Sequence, residues 1–136
     1  MKSIIRLSRE DHACLRDLVQ GEQPGGRLNA DQTLNLEAVL NVAQTGGSPA
    51  QLIDHVGLED RITLVSPTDR GDVFVLSIVV PSGEDIDADR IGIGKPVALA
   101  CLGRRRNELV IWTGPQGIRA MKVVEIEKAV TPADVH

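Results

Sequence analysis

Aromatic side chains are almost missing from this chain. There is one phenylalanine, Phe74, one tryptophan, Trp112, and no tyrosine. Single-strand nucleic-acid binders stack bases on aromatic faces, and small-ligand pockets are commonly lined with them, so both arrangements are disfavoured. Cysteine is scarce too. Cys14 and Cys101 stand far apart with no C-x-x-C pair, which argues against a zinc site and a dithiol redox motif. Lone thiols in apolar segments fit a reducing compartment and a packing role. No apolar run approaches the ~20 residues of a membrane helix. The start, "MKSIIRLSRE", holds no apolar core of signal-peptide length. The expectation is a cytoplasmic protein with no membrane partner. Cations are not in excess: 15 Lys and Arg stand against 19 Asp and Glu, giving a net charge of -4. Backbone-phosphate binding draws on clustered positive charge, so direct sequence-specific nucleic-acid binding is not expected.

What is present suffices for a core. The chain has 136 residues, 42% of them hydrophobic, enough for one domain with a small appendage. "IIRLSREDHACLRDLVQGE" predicts a helix capped by Ser8, with Asp11 as a short-acid capping-box partner and Leu15, Leu18 and Val19 on one face. Gly21 and "PGG" at 24–26 stop it. "DQTLNLEAVLNVAQTGG" predicts a second helix, with a stripe of Leu36, Val39, Leu40 and Ala43, ended by Gly46 and Gly47. A loop of ~10 residues makes the pair an antiparallel hairpin. After Gly47, alternation takes over. "QLIDHV" reads as a short strand and "DRITLVS" as a better one. "DVFVLSIVVP" reads as a central strand. "SGEDIDADRIGIGKP" reads as a polar loop and "PVALACLG" as a short helix starting at Pro96. "ELVIWTG" and "IRAMKVVEIE" are strands around a "PQG" turn. The expected class is α+β. A helical hairpin over 1–47 precedes a mostly antiparallel sheet domain with one short helix over 48–128, and a tail follows over 129–136.

Catalytic chemistry finds little support. Glu84, Asp85, Asp87 and Asp89 imitate a calcium loop but lack its sixth-position glycine and terminal glutamate, so a solvated loop is the better reading. His12, His55 and His136 lie in separate segments without ligand spacing. "IGIGKP" resembles the end of a phosphate loop, but Pro96 stands where Ser or Thr is required. Cys101 precedes three arginines that could lower its pKa, against the stronger reading of a buried small hydrophobe. No catalytic residue, metal or cofactor is assigned. "GKPVALACLGRRRNE" remains, with the densest positive charge of the chain at Arg104, Arg105 and Arg106. Cations after a helix C-terminus complement its partial negative charge. They also suit an electrostatic rim around an apolar docking patch. Both readings stay open.

From Val56 onward the order of features resembles the C-terminal domain of the GreA/GreB transcription elongation factors. The matching stretches are "VGLEDRITL" (56–64), "PVALACLG" (96–103) and "ELVIWTGPQGIRAMKVVEIE" (108–127). The family's Ser-Pro step is Lys95-Pro96 here, and its Gly-Asp pair is replaced by Asn107-Glu108. The short hairpin, with Val79-Val80-Pro81 at a strand end, looks closer to Rnk, the so-called regulator of nucleoside diphosphate kinase.

The resemblance implies an FKBP-like domain that binds RNA polymerase near the rim of the secondary channel. It implies competition with Gre-type factors there without RNA cleavage; a non-enzymatic protein is expected, and a monomer. Carried over by position, the contact is Gly94, Lys95, Pro96 and Val97, with Arg104, Arg105 and Arg106 beside it. The alternative is a cleavage factor acting through the hairpin-tip acids Glu22 and Asp31. Prolyl isomerase activity is set aside because only Phe74 and Trp112 could line its pocket. Direct binding to a metabolic enzyme, which the Rnk name suggests, finds no support in the residues.

Overall fold

A computed structural model describes residues 4–21, 28–115 and 117–129. The first helix, α1 (Arg9–Val19), starts at Ser8, whose hydroxyl accepts the Asp11 N–H at 3.0 Å. Asp11 does not close the expected capping box. Its carboxylate accepts the distant Leu58 N–H at 3.0 Å instead. The helix stops at Gln20, and Gly21 follows with φ 75°, the left-handed conformation that glycine takes without a Cβ penalty.

The second helix, α2 (Ala30–Val42), begins at Asn29 with a reciprocal box. Asn29 accepts the Gln32 N–H at 2.8 Å, and the Gln32 carbonyl oxygen accepts the Asn29 N–H at 3.0 Å. The helix ends before Gly46, because Gln44–Thr45 (β2) pairs in parallel with Arg6–Leu7 (β1). The sequence did not suggest either strand. His12 Nε2 lies 3.4 Å from the Leu40 carbonyl. That contact joins the first turn of α1 to the last turn of α2, so the two helices run antiparallel.

"QLIDHV" is not a strand. Ser48 caps a one-turn helix, α3 (Pro49–Leu52), with Pro49 at its first position and a capping box to Gln51. This local chemistry overrides the weak alternation. His55 retains one isolated antiparallel bridge, to Arg105.

The remaining strands are β3 (Arg61–Val65), β4 (Val73–Val79), β5 (Arg90–Gly92), β6 (Leu109–Gly114) and β7 (Gly117–Glu127). They form a five-stranded sheet of order β5-β4-β3-β7-β6. β5 pairs with β4 in parallel, and the other pairings are antiparallel. A 3-10 turn over Pro81–Gly83 overlaps the start of the segment expected to be a polar loop, and a second 3-10 turn and β5 lie within it. A short helix, α4 (Pro96–Cys101), packs beside β6. The observed architecture is the predicted α+β class.

One core runs through hairpin and sheet. Leu15, Leu18, Leu36 and Leu40 from the hairpin join Ile62, Leu64, Leu76 and Ile78 of the sheet, with Val97, Ala98 and Cys101 of α4 in the same cluster. Burying a side chain of this size contributes about 1.5–3 kcal/mol, so each hairpin leucine ties the helices to the domain. The expected turn at Pro24 to Gly26, the tip acid Glu22, His136 and the tail beyond residue 129 lie outside the described residues.

Candidate partner-docking site

The Gly94–Val97 edge is built by a turn feeding α4. The Lys95 N–H donates to the Gly92 carbonyl at 3.0 Å, and Lys95 then serves as the N-cap of α4 without a side-chain cap bond. Lys95 and Pro96 are exposed, whereas Val97 turns into the core. The local sequence explains this division: proline sets φ for the first helical position and donates no N–H there. The apolar residues that follow bury one face of the helix.

Gly94 touches the hairpin. Gln32 Nε2 donates to the Gly94 carbonyl at 3.3 Å. A Cβ on Gly94 would stand 2.7 Å from Gln32 Cδ and 3.0 Å from Leu28 Cδ2. The first turn of α2 therefore rests on the loop that precedes α4. Asp31, exposed in that turn, is brought into the same neighbourhood.

The arginine triplet occupies the other end of α4. That helix has six residues, about 9 Å at 1.5 Å per residue. Arg104 Nε donates to the Ala100 carbonyl at 3.3 Å, and its Nη1 meets Glu108 Oε2 at 3.0 Å. Arg106 pairs with Asp54 at 3.4 Å, and its backbone N–H donates to the Asp54 carbonyl at 2.7 Å. The side chain of Arg105 is exposed. The structure thus separates Lys95-Pro96 from the arginines, and it gives Arg104 a place against the helix-end carbonyls.

Gly103 ties these pieces together. Its φ is 74°, and a Cβ would stand 2.4 Å from Ile5 Cγ2. The Gly103 carbonyl accepts the Arg6 N–H at 3.0 Å and lies 2.8 Å from His55 Nδ1; its own N–H donates to Val56 at 2.8 Å.

A charge cluster missed in the sequence locks α1 to the domain. Asp60 is almost fully buried. Its carboxylate accepts the Gly57 N–H at 2.7 Å and the Ala129 N–H at 2.8 Å, and it also meets Lys128 Nζ. Asp11 approaches the same glycine: a Cβ on Gly57 would stand 2.7 Å from Asp11 Oδ2 and 3.1 Å from Asp60 Oδ2. Burial pushes the Asp11 carboxyl above its ordinary value; the Leu58 N–H opposes this, and the nearby Asp60 charge adds to it. Only the charged step Glu59-Asp60-Arg61 inside "VGLEDRITL" hinted at this cluster.

Other candidates resolve simply. Glu84 folds inward to accept the Gly92 N–H at 2.9 Å, while Asp89 points toward Arg61 at 3.9 Å. Cys101 is not an activated thiol: it is fully buried, and that burial pushes its pKa up to about 12 despite Arg104. Among the described residues, no helix is long and apolar enough to cross a membrane.

The family model for "Transcription elongation factor, GreA/GreB, C-term" matches residues 50–128, more than half of the chain. The chain belongs to the GreA/GreB family. The transcription elongation factor GreA of Azorhizobium caulinodans is 29% identical over 111 residues, which cover 82% of this chain. The matched region spans 66% of that GreA. Among solved structures, a prokaryotic transcription elongation factor GreA/GreB from Nitrosomonas europaea shares the fold with a TM-score of 0.73. It is 24% identical, and the match covers 93% of this chain and 100% of that one. GreA factor homolog 1 of Thermus thermophilus is more distant in shape. Its TM-score is 0.51 at 18% identity, covering 92% of this chain and 99% of that one. The Gly94–Val97 edge, Asp60, Gly103 and Lys128 all lie inside the segment matched to the GreA/GreB model.

Proposed function

We propose that this GreA/GreB-family chain is a non-catalytic transcription regulator of the Rnk kind. It docks on RNA polymerase near the secondary channel through Lys95 and Pro96 and competes there with Gre-type factors. The observation that supports this reading is the length and seating of the hairpin. Its helices have 11 and 13 residues, about 17 and 20 Å, and Gln32 holds the start of α2 against Gly94. A cleavage arm has to carry acids away from its domain to a distant active site. Here Asp31 stands one residue from the side chain that clamps α2 to the domain. The exposed Lys95-Pro96 step beside that clamp offers a rigid docking edge.

The test is transcript cleavage on stalled elongation complexes, with and without a Gre factor. This protein alone yields no cleavage, and in excess it suppresses cleavage by the Gre factor. Pro96→Ala and Lys95→Glu weaken that suppression while the fold persists. Cleavage by this chain alone, abolished by Asp31→Lys, overturns the proposal in favour of a cleavage factor. Failure to suppress the Gre factor overturns the shared docking surface.

A further inference from the structure

A cleft of about 740 Å³ opens between β1, α3 and the turn that follows α4. Its walls include Ile4, Arg6, Ala50, Gln51, Arg105 and Asn107. It lies at the arginine end of α4, away from Lys95 and Pro96. Its volume falls in the ordinary range for small-molecule sites, about 300–1,000 Å³.

The charges around it do not cancel. Two lining carboxylates are already engaged. Asp54 pairs with Arg106 at 3.4 Å, and Glu108 holds Arg104 at 3.0 Å and the Arg105 N–H at 3.1 Å. Two lining guanidiniums, those of Arg6 and Arg105, have no ion pair with any described residue. The Arg6 guanidinium is nonetheless anchored. Arg6 Nη1 donates to the Gly46 carbonyl at 3.0 Å, and the guanidinium, with five N–H donors, makes no second hydrogen bond to a described residue. A Cβ on Gly47 would stand 3.0 Å from that same nitrogen, at a φ of 128°, so the chain keeps a glycine beside it. The Arg105 backbone is held by the Glu108 carboxylate and by its bridge to His55, while its side chain is exposed. A protein with a net charge of -4 therefore keeps, in one concavity, two guanidiniums that form no ion pair with a described residue, while the two carboxylates lining it are engaged elsewhere. Such a concavity concentrates positive potential and attracts anions.

We propose that this cleft binds a small phosphate ester of nucleotide size. Its phosphate sits on Arg6 and Arg105, and its organic part lies against Ile4 and Ala50. The guanidinium fork matches phosphate oxygens geometrically, and a tetrahedral phosphate offers oxygens to two forks arriving from different segments. Gln51 and Asn107 supply amide groups for the polar edge of the organic part. This site is separate from the docking edge, and its test contains no polymerase.

The experiment is an NMR titration of the full chain at low salt with three probes: AMP, adenosine and inorganic phosphate. AMP shifts the amides of Ala50, Gln51 and Asn107, and it binds at least tenfold more tightly than either adenosine or phosphate. Arg105→Gln weakens AMP at least tenfold, whereas Arg105→Lys weakens it less, because charge survives without the fork. Raising the salt weakens AMP further. Arg105 is exposed, so these variants keep the native spectrum, and Arg6→Gln provides an independent check from the opposite wall. Three results each overturn the proposal: adenosine binding as well as AMP, inorganic phosphate binding as well as AMP, or affinity unchanged in Arg105→Gln.

Discussion

Gln32 and Gly94, 62 residues apart in sequence, meet through a side-chain hydrogen bond of 3.3 Å. The same glutamine closes the capping box of α2, so one amide serves helix initiation with its oxygen and domain contact with its nitrogen. Gln32→Glu separates the two roles. It keeps the acceptor for Asn29 and loses the donor to Gly94. A net contribution of about 1 kcal/mol is expected to disappear, with faster amide exchange around Gly94 and Lys95 and α2 still helical. Unchanged exchange at those amides would show that the contact does not hold the hairpin down.

Asp11 gives the molecule a defined pH response. Its folded pKa is raised above 3.8, chiefly by burial. The protonated form is therefore favoured in the native state. The associated stability is fully present below the unfolded value and is lost as pH rises through the folded one. Asp11→Asn keeps an oxygen for the Leu58 N–H and removes the titration. The stability of the variant relative to the parent is expected to climb as pH rises from about 3.8 and to level off above the raised pKa. Denaturation measured at matched pH values from 3 to 7 checks this. A difference that is flat across that range contradicts it.

Gly103→Ala is expected to be among the more damaging single-methyl additions in this chain. The left-handed backbone costs an alanine about 1 kcal/mol or more, and the added Cβ collides with Ile5. A loss of about 2 kcal/mol or more is anticipated, read as a lower denaturant midpoint. Gly21→Ala makes a useful comparison, because no described residue lies within 4 Å of its Cβ position. It carries the backbone term alone and should cost less.

The two thiols should differ in reactivity. Cys101 is sealed in the core, and its pKa is pushed up to about 12. Cys14 is partly exposed, and burial together with Asp11 and Asp17 raises it more mildly. Alkylation of the native protein at pH 8, followed by mass spectrometry, is expected to label Cys14 slowly. Cys101 should react only as fast as the protein unfolds. Labelling of Cys101 in the native state would contradict the packing of α4.

Much of the fold was legible because its local signals agree with its tertiary structure. Ser8, Gly21 and Pro96 mark helix boundaries through cap and proline chemistry, and the alternation in 61–65 and 109–127 marks strands. The failures have physical causes. "QLIDHV" alternates, but Ser48, Pro49 and Gln51 form a capped helix start, and Ile53 is left exposed, so the alternation buries no continuous face. β1 and β2 are two residues each, too short for any periodicity to register. The proposed docking edge came from a resemblance in residue order, since Lys95 and Pro96 alone would read as an ordinary helix start. The Asp11, Asp60 and Lys128 cluster joins three remote segments, and no spacing rule connects them. The arginine triplet looked uniform as text. Only their surroundings distinguish Arg104 at a helix end, Arg106 on Asp54, and Arg105 beside a cleft.

The Gly103 junction also bears on the order in which the molecule is made. Arg6 is translated well before Gly103, yet the carbonyl that accepts its N–H belongs to Gly103. The leucines of α1 and α2 likewise share a cluster with α4. The hairpin is synthesised before the sheet domain but acquires its support late, after three of the five sheet strands and α4 have appeared. Closing so long a loop is slow compared with forming helices or hairpins. During synthesis, then, the hairpin waits with an exposed apolar stripe. The ribosome-bound intermediate, rather than the finished protein, is the stage at which this fold is most open to chaperones and proteases.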